Sequence, residues 1–102
     1  MTLRIGILIF DDAEELDFVG PYEVFTMARA LKPGALEVQL IAERDAPVRC
    51  AKGMRVLPDA ALAACGPLDI LLVPGGQGTR REVENKPLLD WIAATATSAT
   101  WV

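Results

Sequence analysis

The stretch from Asp69 to Gly78 constrains the fold more than any other part of the chain. Residues 70–73 form an unbroken apolar run, which is typical of a strand covered on both faces in a parallel sheet. Pro74 has no N–H to donate and therefore ends the strand. A cluster of glycines follows, and backbone without Cβ atoms lets a ligand approach closely. Because ligands bind beyond the carboxyl ends of strands in open α/β sheets, we expect a site here.

A strand–helix–strand unit is predicted ahead of this stretch. Leu3–Phe10 is almost entirely apolar and predicts a second buried strand. Pro21 suits the first turn of a helix, which residues 32–34, Lys-Pro-Gly, are expected to end. That helix carries apolar residues at helical spacing: Val24, Met27, Ala28 and Leu31. Leu36–Ala42 predicts a third strand, and this order is typical of a βαβ unit with parallel strands.

The segments on either side of the glycine cluster are shorter. Glu43–Pro58 contains two brief strand-like stretches around Lys52, which predict a β-hairpin at the edge of the sheet. Pro58-Asp59 is expected to open a short alanine-rich helix that ends at Cys65. Three elements are predicted after the glycines: a broken helical turn at Thr79–Asn85, a helix from Lys86-Pro87, and the start of a strand at Ala99–Val102.

Composition limits the possible functions. The 102 residues suffice for one small domain at most, and 52% hydrophobic residues indicate a packed core. No apolar run approaches the roughly 18 residues of a membrane span, and no cleavable leader is present, so we expect a cytoplasmic protein without membrane contact. A net charge of −4 with scattered basic residues argues against nucleic-acid binding.

The absence of histidine narrows the chemistry. It excludes Ser-His and Cys-His dyads and histidine-based zinc sites within this chain. We therefore expect no metal and no cofactor, and chemistry that relies on carboxylates, thiols and backbone amides. Because the chain ends inside a predicted strand, we also expect residues 1–102 to be the N-terminal portion of a single longer domain.

Three interpretations of the glycine cluster remain open. The first is phosphate binding at a helix N-terminus, although the Walker pattern is absent and the dinucleotide pattern fails at its last position. The second is an oxyanion hole, in which the amide of Gly75 or Gly76 faces developing negative charge. The third is a tight strand-to-helix turn with no further role.

Asp17 is the second candidate site residue. It follows the first strand, so it is expected at the same edge of the sheet as the glycines. Its neighbours in sequence are apolar, and a carboxyl group held among them would have a raised pKa and could transfer a proton near neutral pH. The alternative is a helix cap ahead of Gly20-Pro21. Glu14 and Glu15 resemble solvated turn residues.

Cys50 and Cys65 are the only cysteines. In a cytoplasmic chain two isolated cysteines are expected to be free thiols rather than a disulfide. Neither follows a predicted buried strand or has a base beside it, so we expect neither to be a nucleophile.

Four segments together resemble the N-terminal part of the ThiJ/PfpI superfamily, which is glutamine amidotransferase-like. They are Arg4–Phe10, Glu15–Phe25, Val48–Asp59 and Leu68–Gly78, and they cover essentially the whole chain in one order. The second segment, with its Leu-Asp-x-x-Gly-Pro-x-Glu-Val-Phe sequence, is most similar to the isonitrile hydratase branch. It is also similar to the sensor domains of AraC-type transcriptional regulators.

The resemblance implies a flavodoxin-like three-layer α/β/α sandwich with a mainly parallel sheet, usually found as a homodimer. It implies a cysteine nucleophile in a strand-to-helix turn beyond Val102, to which Cys50 and Cys65 do not correspond. The acid that contacts the nucleophile would be Asp17, and the oxyanion-hole backbone would be Gly75, with Gly76 beside it.

By the same resemblance, the longer protein is expected to be an enzyme that converts a small molecule, an isonitrile, into an N-substituted formamide. Residues 1–102 alone would then be inactive. Two alternatives stay open: the ligand-sensing domain of a transcriptional regulator, and a chain of 102 residues that only binds or supports other molecules.

Overall fold

The computed structural model describes residues 1–102. The strands are β1 (Leu3–Leu8), β2 (Leu36–Ala42), β3 (Val48–Arg49), β4 (Arg55–Val56), β5 (Ala60–Ala61) and β6 (Ile70–Leu72). The helices are α1 (Glu15–Leu31), α2 (Thr79–Glu82) and α3 (Lys86–Ser98), with a 3₁₀ turn at Leu62–Ala64.

A parallel sheet with the strand order β5–β2–β1–β6 organises the chain. β1 lies inside it, with Ile5 opposite Val38 of β2 on one side and Ile70 of β6 on the other. Trp101 pairs in parallel with Ile70, so the chain returns to the free edge of β6. Strand order therefore reverses between β1 and β6, and right-handed crossovers place α1 and α3 on opposite faces of the sheet. The predicted α/β class and mainly parallel sheet are confirmed.

The core is centred on β1 rather than on β6. Ile5, Ile7 and Leu8 are 1%, 0% and 1% exposed. In β6 only Leu71 is buried, and Val73 just beyond it is 42% exposed. The prediction that residues 70–73 are covered on both faces is therefore wrong for this chain, because β6 is the outermost full strand of the sheet.

α1 begins earlier than predicted. It starts at Glu15, so Pro21 lies inside the helix rather than in its first turn. The prediction relied on the preference of proline for the first turn, but burial of the Phe18 side chain holds the preceding turn in helical form. The end was predicted correctly, because the helix stops at Leu31 ahead of the Lys-Pro-Gly segment.

The outer face of α1 is apolar. Leu16, Val24, Met27 and Leu31 are 74%, 66%, 52% and 80% exposed. The inner face is formed by Phe18, which is buried, and by Tyr22 and Phe25, which pack against the core. The helix is therefore apolar on two opposite sides.

The segment after Pro58 is a strand and a 3₁₀ turn instead of the predicted helix. Ala60 and Ala61 pair with Ile41 and Ala42 of β2, and an Asp59 carboxylate oxygen accepts a hydrogen bond from the Leu40 amide at 2.8 Å. Pairing with the edge of β2 thus overrides the helical preference of alanine.

Three further predicted elements are present. β3 and β4 form the antiparallel hairpin predicted within residues 43–58, but as a separate two-stranded sheet rather than at the edge of the parallel sheet. α2 is the broken helical turn, and α3 begins at Lys86 with Asn85 as its N-cap. No helix has both the length and the apolar character needed to span a membrane.

Candidate active site at the carboxyl edge of the sheet

Two loops meet at the edge where β1 and β6 end. The β1 loop, residues 9–14, follows β1, and the glycine turn, residues 73–78, follows β6. The Glu14 amide donates to the Gly75 carbonyl at 3.1 Å, and the Gly78 amide donates to the Asp12 carbonyl at 3.1 Å. The two loops are therefore joined directly through their backbones.

Asp17 and Gly75 are in direct contact. One carboxylate oxygen of Asp17, Oδ2, accepts a hydrogen bond from the Gly75 amide at 3.0 Å. Asp17 is the third residue of α1, where the partial positive charge of the helix N-terminus favours a carboxylate. The structure thus brings together two residues that the sequence places 58 positions apart.

The apolar setting predicted for Asp17 is wrong for this chain. Asp17 is exposed, and so are its apolar neighbours Leu16 and Val19. The reason is the early start of α1, which turns Phe18 into the core and leaves the residues on either side of it facing solvent. Asp17 is not the helix N-cap either, because Glu14 occupies that position.

Gly76 is required by the backbone itself. Its φ of 110° lies in the region that favours glycine. A Cβ at this position would lie 2.5 Å from the Glu14 nitrogen and 2.8 Å from the Asp12 oxygen, both backbone atoms. Gly76 therefore lets the glycine turn pack against the β1 loop, and the tight-turn interpretation accounts for this residue.

Glu14 and Glu15 connect the site to the hairpin. Glu15 Oε2 accepts hydrogen bonds from the amides of Lys52 and Met54 at 2.8 and 3.4 Å, and the Glu14 carboxylate pairs with the Lys52 ammonium. Sequence reasoning treated both acids as solvated, which is wrong. Their partners lie 37–39 residues away, so no local pattern reveals them.

Hydrogen bonding controls the charge of Glu15. Burial opposes its ionisation, but hydrogen bonds from the backbone amides of Glu15, Lys52 and Met54 outweigh burial and lower the pKa of the carboxyl group. The other oxygen, Oε1, is buried without a partner. Hydrogen bonding to Glu14 raises the pKa of the Lys52 ammonium.

Neither cysteine is available as a nucleophile. Cys50 and Cys65 are free thiols, 1% and 2% exposed. Burial raises the pKa of both, and in Cys50 the carboxylates of Glu15, Asp11 and Asp12 raise it further. Both thiols are therefore held in the unreactive protonated form.

The chemistry that these residues support is proton transfer and hydrogen bonding. Asp17 can exchange a proton with a bound molecule, and the Gly75 amide can donate to an anionic oxygen or sulfur. No group of three or more Cys, Asp and Glu side chains is arranged to hold a metal ion.

A parallel sheet with helices on both faces and a site at its strand-order reversal defines a flavodoxin-like α/β protein. Residues 3–102 match the DJ-1/PfpI family, and the chain belongs to that family. It is 34% identical to the isonitrile hydratase of Pseudomonas putida over 102 residues, which are 100% of this chain and 42% of that protein. The chain thus spans about two fifths of that relative.

Solved structures show the same fold. A ThiJ/PfpI family protein from Pseudomonas syringae superposes with a TM-score of 0.87 at 24% identity, over 98% of this chain and 40% of that one. A putative transcriptional regulator from Vibrio parahaemolyticus superposes with a TM-score of 0.79 at 16% identity, over 99% of this chain and 55% of that one.

Replacing Gly76 with alanine is expected to destabilise the fold by roughly 3 kcal/mol or more, because the Cβ adds a backbone clash to the strained φ. Gly34 is the matched control: its φ is 85° but nothing lies within 4 Å of an added Cβ. Gly34→Ala should therefore cost only about 1–2 kcal/mol. Urea denaturation measures both, and equal losses would contradict the role given to Gly76.

In Glu15→Gln, the free energy of unfolding is expected to fall less at acid pH than in the wild type. Because the folded-state pKa of Glu15 is lowered from its ordinary value of 4.5, its stabilising effect is complete above that pH. The effect is lost as the pH falls through the folded-state pKa. The free energy of unfolding should therefore decrease less in the variant than in the wild type between about pH 6 and about pH 3. Glu84→Gln, at an exposed position, is the control, and identical pH profiles for Glu15→Gln and the wild type would refute the assignment.

Proposed function

We propose that residues 1–102 are the N-terminal portion of a single domain in an isonitrile hydratase-like enzyme, which hydrates an isonitrile to an N-substituted formamide. The observation that carries the proposal is the contact between the Asp17 carboxylate and the Gly75 amide at the carboxyl edge of the sheet. Identity of 34% to an isonitrile hydratase along the entire chain supports this choice of reaction.

The proposed reaction needs a cysteine thiolate from sequence that follows Val102, because Cys50 and Cys65 are buried. The Asp17 carboxylate takes the proton of the cysteine thiol, the thiolate sulfur adds to the terminal carbon of the isonitrile, and Asp17 passes the proton to that carbon, giving a thioimidate. The oxygen of a water molecule then adds to the same carbon, one water proton goes to Asp17 and the other to the nitrogen, and the thiolate leaves as the formamide forms and regains its proton from Asp17. The net change is the addition of one water molecule.

In this mechanism the Gly75 amide must serve both Asp17 and the substrate. Its N–H already donates to Asp17, so a substrate must share that hydrogen bond or displace the carboxylate before the amide can stabilise new negative charge. We propose that Gly75 first holds Asp17 in place and then donates to the bound substrate. Gly76 supports this role by fixing the turn.

Asp17→Asn in the complete gene product is expected to lower kcat for isonitrile hydration by about 10²–10⁴-fold, the usual contribution of a general acid–base residue. Asparagine can still accept the Gly75 hydrogen bond, so the fold should persist. Formamide production by the wild type, by this variant and by the exposed-site control Glu84→Gln measures the effect. Unchanged turnover in Asp17→Asn would overturn the role of Asp17.

A ligand-sensing domain of an AraC-type regulator is the second candidate. It rests on the same Asp17–Gly75 geometry, and the fold shared with the putative regulator from Vibrio parahaemolyticus is compatible with it. A sensor would bind a small molecule at this edge without turning it over. Saturable isonitrile binding without formamide production, together with a DNA-binding helix pair later in the gene product, would favour this function over the enzyme.

We also propose that the protein is a cytoplasmic homodimer that forms through the outer face of α1. Four large apolar side chains are exposed there: Leu16, Val24, Met27 and Leu31. Pairing of two copies about a two-fold axis would bury these side chains against the same side chains of the other copy. Free thiols at both cysteines suit a reducing compartment.

Leu31→Glu is expected to convert the dimer into a monomer, because it places a charge in the proposed apolar contact. Leu57→Glu is the matched control, since Leu57 is 71% exposed but lies outside α1. Light scattering coupled to size-exclusion chromatography gives the mass of each variant. A dimer that survives Leu31→Glu would place the contact elsewhere.

A further inference from the structure

A cavity separate from the Asp17–Gly75 contact lies on the far side of the β1 loop. Its volume is about 300 Å³, and neither Asp17 nor Gly75 lines it. It is bordered by the start of the β1 loop, the segment from the end of β2 to β3, the end of α2 and the start of α3. This size is at the lower end of the range for small-molecule sites, so it suits a ligand of only a few heavy atoms.

The floor of the cavity is apolar and rigid. Ile9, Ala42, Val48 and Leu88 line it, and they are 1%, 3%, 6% and 2% exposed. Phe10 completes the floor and also borders a smaller apolar cleft of about 100 Å³. The cavity therefore offers a fixed hydrophobic surface to one part of a ligand.

The rim carries charges of both signs. Three carboxylates and two guanidinium groups line it: Asp11, Glu43, Glu82, Arg44 and Arg81. Its net charge is therefore −1. A ligand that carries only a negative charge would be repelled by this rim overall.

Two of these charges are already used within the protein. Arg81 donates to the Asp12 carboxylate and to the Asp11 carbonyl. Glu82 accepts from Asn85 and lies 3.7 Å from the Arg81 Nε. This pair forms a fixed wall rather than a free binding group.

The remaining charged groups of the rim have atoms that are free to bind a ligand. Arg44 is exposed, and its guanidinium makes no hydrogen bond or ion pair within the chain. Glu43 uses Oε1 to accept from Asn85 at 2.9 Å, and Asp11 uses Oδ1 to accept from the Arg49 amide at 3.0 Å. Each carboxylate thus keeps one oxygen free. The cavity presents one free cation and two free carboxylate oxygens above an apolar floor.

We propose that this cavity binds a zwitterionic α-amino acid with an apolar side chain. The ligand carboxylate pairs with Arg44, its ammonium group pairs with Glu43 and Asp11, and its side chain lies on the floor formed by Ile9 and Val48. A simple amine would leave Arg44 without a partner, and a simple carboxylate would face the free oxygens of Glu43 and Asp11. A zwitterion matches both sets of charges.

The test is a titration of the complete, isotopically labelled gene product with L-leucine, followed by NMR. We expect saturable shifts confined to residues 9–11, 43–48 and 81–82. Arg44→Gln should weaken leucine binding roughly tenfold or more, the loss expected for one charge-assisted hydrogen bond. Arg55→Gln is the matched control, because Arg55 is an exposed arginine outside the cavity, and it should leave the affinity unchanged.

Two leucine analogues separate the charges: 4-methylpentanoate lacks the ammonium group and 3-methylbutylamine lacks the carboxylate. Both should bind at least tenfold more weakly than leucine. Equal affinity for either analogue, no saturable shifts with leucine, or unchanged affinity in Arg44→Gln would overturn the proposal. Asp17→Asn should bind leucine normally, so the test is independent of the hydratase assignment.

Discussion

The backbone contact between the β1 loop and the glycine turn is the interaction on which the rest of the site depends. Two hydrogen bonds join the loops, from Glu14 to Gly75 and from Gly78 to Asp12. They form only because Gly76 adopts a positive φ and has no Cβ to collide with the β1 loop. The parallel pairing of β1 with β6 brings the loops to the same edge, and this contact then fixes their distance.

Once the loops are joined, the positions of the functional groups follow. α1 begins directly after the β1 loop, so its first turn carries Asp17 to the Gly75 amide. Glu15, two residues earlier, holds the hairpin against the same helix end through two backbone amides. The start of α1, the glycine turn and the β3–β4 hairpin therefore meet at this site. Hydrogen bonds from backbone amides to the carboxylates of Asp17 and Glu15 connect α1 to the other two segments.

The sequence predicted most of the strands and the edge of the sheet at which the site lies, but not the contacts around the site. Apolar runs and glycines have a local signature, so β1, β2 and the glycine turn could be recognised. The contacts of Glu15 could not, because its partners near Lys52 are distant in sequence. The strand at Ala60–Ala61 was also missed, because pairing with β2 decides its structure. The exposure of Asp17 depended on where α1 begins, and helix boundaries are weakly encoded.

The most direct test of this account is the hydrogen-exchange rate of the Gly75 amide. In the wild type we predict that this amide is protected, because it donates to the Asp17 carboxylate. In Asp17→Ala its exchange should accelerate at least tenfold, while the amide of Ile7 in β1 keeps its protection. Equal Gly75 exchange in the two proteins would show that the Asp17–Gly75 contact does not hold the site together.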